Sequence, residues 1–536
     1  MSQPPVAKRA KMADVQPKNG PSPAGGTVLM WFRISDLRVQ DNTALHNASQ
    51  HATSNNLKLM AMFVVSPVEW AFHDVAPVRV DFILRNLHVL KQKLGALAIP
   101  LDILQDDGPV PDEHIPRNQR IAEINVRVAD LVAANVARWN AKAVFWNKEY
   151  EIDETFRDDL VKSRLMGTAL VCDFHDQCAV PPGICKTGQG GPYTVFTPYR
   201  NRWTEVATRN PAYLTVLPSP QANTLPLPEP LQMLLDAGGC EIPELPSAFK
   251  VEQERLEAVR LLFPAGEDHA VKLLQDFIST KLDRYKDQRD LPAADGTSTL
   301  SPYFSLGVIS ARRCVSLARA ANGNKMESGK AGAVQWISEV CWRDFYRNIL
   351  VEFPKVCKGR PFKPETDKLA WSYDKTAFQA WCEGKTGFPI VDAGMRQLNA
   401  TGWMHNRLRM IVASFLTKDL LIDWRMGEEY FMKSLIDGDF ASNNGGWQWT
   451  ASTGTDAQPY FRIFNPFSQS ERFDPNGQFI AKWVPELAGL KGTAAIHDPF
   501  SKLDKKAFQK LNYPKPMVDH KVARQKAIQA FKALKS

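Results

Sequence analysis

The 536-residue sequence has no apolar run long enough to cross a membrane, and no cysteine arrangement typical of a metal site or a disulfide framework. A bilayer crossing needs about 20 consecutive apolar residues. The eight cysteines form no CxxC pair and no ligand set with histidine, which indicates a reducing compartment and no structural zinc. We therefore expect a soluble intracellular protein that holds no metal.

The first half of the chain also lacks internal repeats and the GxGxxG fingerprint that follows the first strand of dinucleotide-binding sheets. Helical periodicity covers residues 78–95 and 120–140. Continuous apolar runs separated by such helices predict a parallel, doubly wound α/β sheet. Without the fingerprint, we do not expect this sheet to bind a dinucleotide cofactor. The apolar runs lie at 27–32, 57–65, 101–104, 143–146 and 169–172.

Composition divides the chain into four segments. Residues 1–26 are rich in Pro, Gly, Lys and Ser and predict a disordered basic tail. Residues 27–174 form the predicted α/β domain, and the Pro- and Gly-rich residues 175–250 predict a long connector draped over the surface. Residues 251–536 carry helical patterns only, and predict an all-helical domain.

Within the tail, PVAKRAK at 5–11 resembles a nuclear import signal. Such basic clusters also occur in tails that only solvate the protein, and a basic start is found in mitochondrial presequences as well. We expect a nuclear protein, with a mitochondrial pool as a further possibility. The formal charge of +8 and the pI near 8.9 suit a polyanionic partner without requiring one.

Residues 437–449 concentrate acids, amides, glycines and tryptophans without an apolar period. The acids accept hydrogen bonds, the amides donate and accept them, the glycines let backbone approach a flat group, and the tryptophans offer ring faces. Such a set suits a polar planar ligand, although a glycine-containing loop whose tryptophans fill a core would show the same residue types. The residues concerned are Asp437, Asp439, Asn443, Asn444, Gly445, Gly446, Trp447 and Trp449.

Two predicted helices carry further candidates. On residues 333–353, Trp336, Glu339, Trp342, Arg343 and Tyr346 share one face. An acid between two tryptophans needs a partner, and spacing alone favours an ion pair between Glu339 and Arg343 over contact with a ligand.

A helix is also predicted over 302–321 and another over 404–420, where Asn406, Arg409 and Met410 share a face with Arg407 at its edge. The hydroxyl run TSTLS at 297–301 enters the first of these helices. It suits phosphate binding at a helix N-terminus, or a plain Ser/Thr cap.

Several of these stretches together resemble the photolyase/cryptochrome family, in particular the class I cyclobutane pyrimidine dimer photolyases. The resemblance implies an N-terminal Rossmann-like α/β domain and an all-α FAD domain. It also implies a carbon–carbon lyase in which reduced anionic FAD passes an electron, under light, to a flipped-out dimer in ultraviolet-damaged DNA. A monomer without a membrane partner is expected. The stretches that carry the resemblance are 31–45, 284–310, 336–350, 387–424 and 437–466.

By the same resemblance, Asn443 faces the reactive nitrogen of the flavin ring, and Arg409 pairs with Asp437 beside it. The other residues expected to bind FAD are Tyr285, Thr297, Ser298, Thr299, Leu300, Ser301, Trp336, Arg343, Gly438 and Asp439. Three tryptophans match the chain that carries electrons from the surface to the flavin, although all three could equally be core residues: Trp371, Trp424 and Trp447.

For the lesion, the resemblance implies that Glu339 hydrogen-bonds the damaged base, in a protonated or proton-sharing form, and that Trp342 stacks on it. Asn406 and Met410 would meet the lesion with Trp449, and Arg407 a phosphate. The expected contacts to the DNA backbone are Arg289, Arg462 and Gln469.

A second, light-harvesting chromophore is implied between the domains, most consistent with 5,10-methenyltetrahydrofolate. The matching positions are His73, Asp153, Glu154, Cys357 and Lys358. The alternative function is a blue-light photoreceptor that signals through protein partners, but the chain ends soon after a basic amphipathic helix, as photolyases do. A flavin-bearing DNA binder without repair activity is a third interpretation.

Overall fold

The computed structural model describes residues 25–236 and 241–534, so the predicted import signal lies outside the described residues. Five parallel strands form one sheet in the order β3-β2-β1-β4-β5, which confirms the predicted α/β fold. Successive residues of a strand point to opposite faces, and Val28 and Met30 enter one core while Leu29 and Trp31 enter another. The strands are β1 (Thr27–Phe32), β2 (Lys58–Val65), β3 (Leu101–Gln105), β4 (Ala141–Asn147) and β5 (Leu170–Phe174).

Helices cover both faces of the sheet and are the regular elements of most of the chain that follows it. None of them combines the length and the hydropathy that a membrane crossing needs. They are α1 (Thr43–Ser54), α2 (Pro67–Phe72), α3 (Pro77–Gly95), α4 (Arg117–Arg138), α5 (Ile152–Leu165), α6 (Phe196–Arg209), α7 (Glu229–Asp236), α8 (Gln253–Leu262), α9 (Glu267–Thr280), α10 (Tyr285–Gln288), α11 (Ser301–Ser305), α12 (Ala311–Ala321), α13 (Ala331–Glu352), α14 (Lys375–Cys382), α15 (Pro389–Thr401), α16 (Asn406–Ser414), α17 (Trp424–Met432), α18 (Phe440–Ala451), α19 (Pro466–Phe473), α20 (Gln478–Trp483), α21 (Pro499–Lys502), α22 (Lys505–Lys510) and α23 (His520–Ala533).

The prediction of one helix over 302–321 is wrong, because α11 ends at Ser305 and α12 begins at Ala311. Gly307 lies between them with φ of 58°, and a Cβ there would lie 1.8 Å from the carbonyl oxygen of Ser35. Only glycine permits this approach. The break lets the helical part of the chain contact the loop that follows β1, where the Leu37 amide donates to the Leu306 carbonyl at 3.0 Å.

The helix predicted over 404–420 begins two residues later, at Asn406, and its regular part ends at Ser414. A π-helical turn, Phe415–Asp419, continues it. The segment predicted as a surface connector contains α6, whose Trp203 is fully buried and donates through Nε1 to the Asp344 carboxylate at 2.9 Å. Part of that segment is therefore packed into the core against α13.

A buried charge cluster joins the sheet to the helices. Arg38, which follows β1, and Arg312 on α12 both donate to the carboxylate of Asp176. Arg312 also donates to Asp41 at 3.1 Å. Because each of these charges is buried and has an opposite partner, breaking one pair would leave an uncompensated charge. The cluster fixes how the helices sit on the sheet, and so where the cavities between them lie.

Candidate active site

A cavity of about 600 Å³ lies among α10, α11, α13, α16 and α18. Cavities that bind drug-sized ligands and cofactors are typically 300–1,000 Å³ and are lined by apolar and aromatic groups with a few polar ones. This cavity fits that description, because tryptophans and aliphatic side chains alternate around it with a few charged residues. We call it the large cavity.

One wall of the large cavity contains the predicted pair of Arg409 and Asp437. The Arg409 guanidinium donates to both Asp437 carboxylate oxygens, at 3.0 and 2.7 Å. The Asp437 side chain is 2% exposed, and an arginine that contacts both oxygens compensates its buried charge. The structure thus contains the predicted ion pair.

Asp439 caps α18, where its carboxylate accepts from the Ser442 amide at 2.9 Å. Burial alone would raise the pKa of Asp439, but the guanidiniums of Arg347 and Arg343 hold it well below its usual range. Asp439 lines the large cavity, and it also lines a second, smaller cleft. Gly438 lines neither and separates the two aspartates.

All five residues of 297–301 line the large cavity together with Tyr285. The N-cap of α11 is Leu300, which makes no side-chain cap, so a plain Ser/Thr cap does not explain the hydroxyl run. Thr299 has a φ of 50°, a strained value for a branched residue that occurs mostly at functional sites. This segment offers hydroxyls and amides to the cavity, as a diphosphate requires.

On α18, Asn443 and Gly446 line the large cavity, whereas Asn444 and Gly445 do not. Asn443 donates through Nδ2 to the Glu428 carbonyl at 3.0 Å, which leaves its side-chain oxygen for a ligand N–H. No atom lies within 4 Å of a Cβ placed on Gly446, so a flat group can approach the backbone there.

The interpretation of Asn444 and Gly445 as parts of a ligand site is wrong. Asn444 is buried behind α18, where it donates to Glu428 Oε1 at 2.8 Å and accepts from Gln448 at 2.9 Å. A Cβ on Gly445 would lie 2.2 Å from the Tyr346 ring, so this glycine serves helix packing. Adjacent residues on a helix are rotated by about 100° about its axis, so one residue of each pair faces the large cavity and the other faces the protein interior.

The predicted face of α13 is observed, since Trp336, Glu339, Trp342, Arg343 and Tyr346 all line the large cavity. The ion pair between Glu339 and Arg343 is not. Arg343 donates instead to the backbone carbonyls of Gln177 and Phe304, while the Glu339 carboxylate accepts from other side chains.

Glu339 Oε1 accepts from Arg289 and, at 2.7 Å, from Gln335. The Glu339 carboxylate therefore lies in a polar surrounding. Arg289 belongs to the end of α10, 50 residues away in sequence, and helical spacing could not have revealed that contact.

The residues expected to touch the lesion itself line the large cavity, namely Glu339, Trp342, Asn406, Met410 and Trp449. Trp342 stacks on Phe196 with ring centroids 3.6 Å apart and planes 8° from parallel, so its ring is held in place before any ligand arrives. Asn406 Nδ2 lies 3.9 Å from the Met410 sulfur. Trp449 completes this group.

Other predicted residues lie outside the large cavity. Arg407 pairs with Asp290 at 2.9 Å, Arg462 is exposed, and Gln469 is half-buried. None of these three residues lines the cavity. Of the three relay candidates, Trp447 lines the cavity and is 3% exposed, Trp424 is fully buried, and Trp371 is half-buried. Trp371 is thus the most exposed of the three tryptophans.

Several residues of the large cavity were not anticipated, among them Trp403 and Gln335. Trp403 lines the large cavity and donates through Nε1 to Ser301 Oγ at 3.1 Å. Gln335 lies one turn before Glu339 on the same face of α13, and the i, i+4 spacing could have identified it. Trp403 precedes α16 in a turn, where no periodicity indicates a direction.

A smaller cleft of about 160 Å³ lies between the sheet and the helices. His73, Asp153, Glu154 and Cys357 line it as predicted for the second chromophore, but Lys358 does not and is exposed. Seven further charged residues line the cleft and were not anticipated, namely Arg33, Glu69, Arg79, Glu149, Glu151, Arg157 and Arg347. The run KEYEIDE at 148–154, with four acids in seven residues, could have indicated Glu149 and Glu151.

Charge is crowded in the smaller cleft. Burial, together with the carboxylates of Glu151 and Glu149, raises the pKa of Glu154 well above 4.5. Burial lowers the pKa of His73 below 6.5. One ligand-type atom from each of Glu69, His73 and Glu154 lies within 4.8 Å of the others, but Arg157 already donates to Glu69 at 2.9 Å.

Comparison with known proteins accounts for both parts of the chain. A family model described as DNA photolyase matches residues 28–221, and one described as the FAD binding domain of DNA photolyase matches residues 336–533. The deoxyribodipyrimidine photo-lyase of Neurospora crassa is 43% identical over 525 residues, which cover 95% of this chain and 82% of the relative. That of Escherichia coli is 40% identical over 508 residues, which cover 95% and 98%.

Among solved structures, a class III photolyase from Agrobacterium tumefaciens matches with a TM-score of 0.80 and 30% identity, over 98% of this chain and 100% of its own. A cryptochrome from Synechocystis matches with a TM-score of 0.77 and 26% identity, over 94% and 99%. The chain therefore belongs to the photolyase/cryptochrome family. Its relatives at 40–43% identity are deoxyribodipyrimidine photo-lyases, so photolyase activity is supported and the cryptochrome alternative is not favoured.

Proposed function

We propose that this chain splits cyclobutane pyrimidine dimers in ultraviolet-damaged DNA by light-driven electron transfer from reduced FAD. One observation carries the proposal. The large cavity brings the residues expected around the flavin, among them Arg409, Asp437 and Asn443, into one space with the expected lesion residues Glu339 and Trp342. A cofactor and a base in that cavity would be neighbours.

The residues present fit FAD on structural grounds. The segment 297–301 presents hydroxyls and amides for a diphosphate, Gly446 leaves room for a flat ring, and the free oxygen of Asn443 can accept from a ring N–H. The ion pair of Arg409 and Asp437 sets a fixed electrostatic environment beside that ring. When bound in its reduced anionic form and excited by blue or near-ultraviolet light, FAD would supply one electron to the dimer and recover it after the ring bonds break.

The protein's own task is to hold the lesion against that electron source. Extruding a dimer from the duplex costs a few kcal/mol, and less where damage has weakened stacking. Trp342 and Trp449 offset this cost, because stacking on an aromatic side chain contributes about 1–3 kcal/mol per base. Trp342 is already immobilised by Phe196, so little rotamer entropy is lost when a base stacks on it.

Glu339 is placed to bind the polar edge of the flipped pyrimidine, with Asn406 and Met410 beside it. In the free protein its carboxylate is paired with Arg289. Binding the lesion therefore involves a change of partner at Glu339. A pyrimidine N–H can donate to the released carboxylate, and a proton shared with a pyrimidine carbonyl would stabilise the extra charge on the dimer.

Trp447, Trp424 and Trp371 form the proposed route by which an electron reaches a flavin that is not yet reduced. Trp447 supports this role because it belongs to the cavity wall, and Trp371 because it is the most exposed of the three.

For the smaller cleft we propose 5,10-methenyltetrahydrofolate as a light-harvesting chromophore. His73, Asp153, Glu154 and Cys357 line the cleft and offer the donors and acceptors that a pterin ring needs. A structural relative from Sulfolobus tokodaii, with a TM-score of 0.70 and 26% identity over 95% of this chain and 100% of its own, is described as holding two FAD molecules, with a novel light-harvesting cofactor implied. An absorption spectrum of the purified protein identifies the chromophore.

We also propose that the protein acts as a monomer in the nucleus, with a mitochondrial pool. The basic motif at 5–11 supports nuclear import. A relative from Saccharomyces cerevisiae, 35% identical over 94% of this chain and 86% of its own length, is named as mitochondrial. Imaging of a tagged full-length chain, with and without residues 5–11, tests the localisation.

The decisive experiment illuminates the purified, reduced protein with DNA that contains dimers, and counts the dimers remaining. We expect loss of dimers in the light and none in the dark. If illumination left the dimers intact, the chain would be a photoreceptor or an inactive flavin-bearing DNA binder.

Glu339 provides a test of its assigned role within that experiment. Glu339→Ala is expected to lower the repair yield several-fold with FAD still bound, because the lesion loses a hydrogen bond to a charged group. Glu339→Gln keeps the side-chain shape and one acceptor, so its repair yield should lie between that of Glu339→Ala and that of the native protein. An unchanged yield in Glu339→Ala would reject the role.

A further inference from the structure

Four charged side chains form a continuous chain at the edge of the large cavity. Glu339 on α13 accepts from Arg289, whose Nε lies 3.7 Å from the Asp290 carboxylate. Arg407 on α16 lies 2.9 Å from the other oxygen of Asp290. The side chains are 16–35% exposed, so both solvent and a macromolecule can reach them. We call these four residues the charge chain.

Within the charge chain, both arginines already have partners. Arg289 is bound by Glu339 on one side and Asp290 on the other. Arg407 is bound by Asp290, and its guanidinium lies over the Phe473 ring, 4.3 Å from the centroid. Two acids and two arginines cancel, so the charge chain as a whole is neutral. A phosphate that takes Arg289 must compete with the Glu339 carboxylate.

A neighbouring group adds no further positive charge. His405 caps α16 beside the charge chain, and burial lowers its pKa to about 4 despite the Asp290 carboxylate nearby. It is therefore neutral at physiological pH. The competition for Arg289 is between carboxylates and an incoming phosphate.

We propose that Arg289 is a positioning residue that changes partner when DNA binds, from Glu339 in the free protein to a backbone phosphate in the complex. The proposal deepens the proposed function and rests on it. Arginine forms charge-assisted, two-pronged hydrogen bonds with phosphate as readily as with carboxylate. The change of partner releases Glu339 at the moment when a strand is in place.

The exchange makes binding selective for the lesion. When undamaged DNA takes Arg289, Glu339 is left as a half-buried carboxylate with only Gln335 as a side-chain partner, which opposes binding. When a flipped pyrimidine enters, Glu339 gains a new partner and this penalty disappears. The ion pair between Arg289 and Glu339 thus weakens binding to undamaged DNA more than binding to the lesion.

Affinity measurements in the dark test the exchange without any repair. Fluorescence anisotropy on the flavin-loaded protein would compare an undamaged duplex with a duplex containing one dimer. Glu339→Gln removes the competing charge, so we expect it to tighten binding to the undamaged duplex by about 3- to 10-fold, the size of coupling seen for residues in contact. Made in an Arg289→Gln background, the same substitution should change that affinity less than 2-fold, on the order of additivity error.

The control is Glu383→Gln, which removes one negative charge from an ion pair of similar length, 2.7 Å to Lys385, at an exposed site. It should leave both affinities within about 2-fold of the native values. Flavin absorbance confirms that each variant is folded.

Equal tightening by Glu339→Gln in the native and Arg289→Gln backgrounds would show a general charge effect and overturn the proposal, as would no tightening at all. The two proposals fail separately. If the effect of Glu339→Gln depends on Arg289 but light-dependent repair is absent, the exchange of partners stands and the repair function is rejected. If repair is normal but the effect does not depend on Arg289, only the exchange is rejected.

Discussion

The large cavity and the smaller cleft handle buried charge in opposite ways. In the large cavity the acids have arginine partners, as Asp437 has Arg409 and Glu339 has Arg289. In the smaller cleft acids outnumber their partners, and burial with like-charge repulsion raises the pKa of Glu154 and Glu151. Paired charges give a fixed electrostatic environment at any physiological pH. Crowded acids hold their protons more tightly, so the charge of the smaller cleft depends on pH.

The largest expected effect comes from unpairing a charge in the large cavity. Arg409→Met leaves the Asp437 carboxylate, 2% exposed, without its cation. Breaking a buried pair from one side costs about 3–5 kcal/mol, so we expect a large drop in stability and loss of bound flavin. Urea unfolding and the ratio of flavin to protein absorbance measure the two effects.

Arg462→Met is the control for that experiment, because Arg462 is exposed and makes one long contact to Gln458, at 3.5 Å. It should change stability by less than about 0.5 kcal/mol. If Arg409→Met kept its flavin and its stability, fixed pairing would not be what distinguishes the large cavity.

A smaller effect is expected at the aromatic side of the same cavity. Trp342→Ala removes a stacking surface worth about 1–3 kcal/mol per base, which corresponds to a loss of about 5- to 150-fold in affinity for dimer-containing DNA. Bound flavin and affinity for undamaged DNA should change little. Trp342→Phe, which keeps a ring against Phe196, should retain part of the affinity. Equal losses on damaged and undamaged DNA would contradict a role in stacking on the lesion.

The smallest effect is a pH dependence in the smaller cleft. In the unfolded chain Glu154 titrates near 4.5, and in the folded protein its pKa lies well above that value. The folded state therefore holds the proton more tightly, and this contribution to stability is full below pH 4.5 and falls as the pH rises toward the folded pKa. Glu154→Gln, neutral at every pH, should raise the melting temperature relative to the native protein at pH 8 and not at pH 4.5.

Glu254→Gln on the exposed surface of α8 is the matched control, and it should leave the melting temperature unchanged at both pH 8 and pH 4.5. A melting difference between the native protein and Glu154→Gln that did not grow with pH would show that the cleft accommodates its acids as ion pairs. The two cavities would then not differ in kind.

Much of the fold could be predicted because apolar periodicity reflects burial directly. The strand at 27–32 and the helix at 333–353 agree with the structure to within about two residues. The prediction of one helix over 302–321 is wrong because the chain bends at Gly307, where its backbone packs closely against Ser35, a residue 272 positions earlier. No local pattern records a contact of that kind.

The candidate site shows the same division. Helical spacing correctly grouped Trp336, Glu339 and Trp342 on one face, because residues three and four apart must point the same way. It assigned the wrong partner to Glu339, since Arg289 donates to that carboxylate while Arg343 donates to the backbone carbonyls of Gln177 and Phe304. It also treated Asn443 and Asn444 alike, although they face the cavity and the core, respectively.

The amino-acid sequence by itself determined the order and type of the elements, the faces of the helices and the residue types that a flavin and a damaged base require. Those properties depend on neighbours within a few residues. Only the tertiary structure decided which charges pair, which acids are crowded into the smaller cleft and which glycine faces open space. Ion pairing and pKa depend on distances between elements remote in sequence, and packing alone sets those distances.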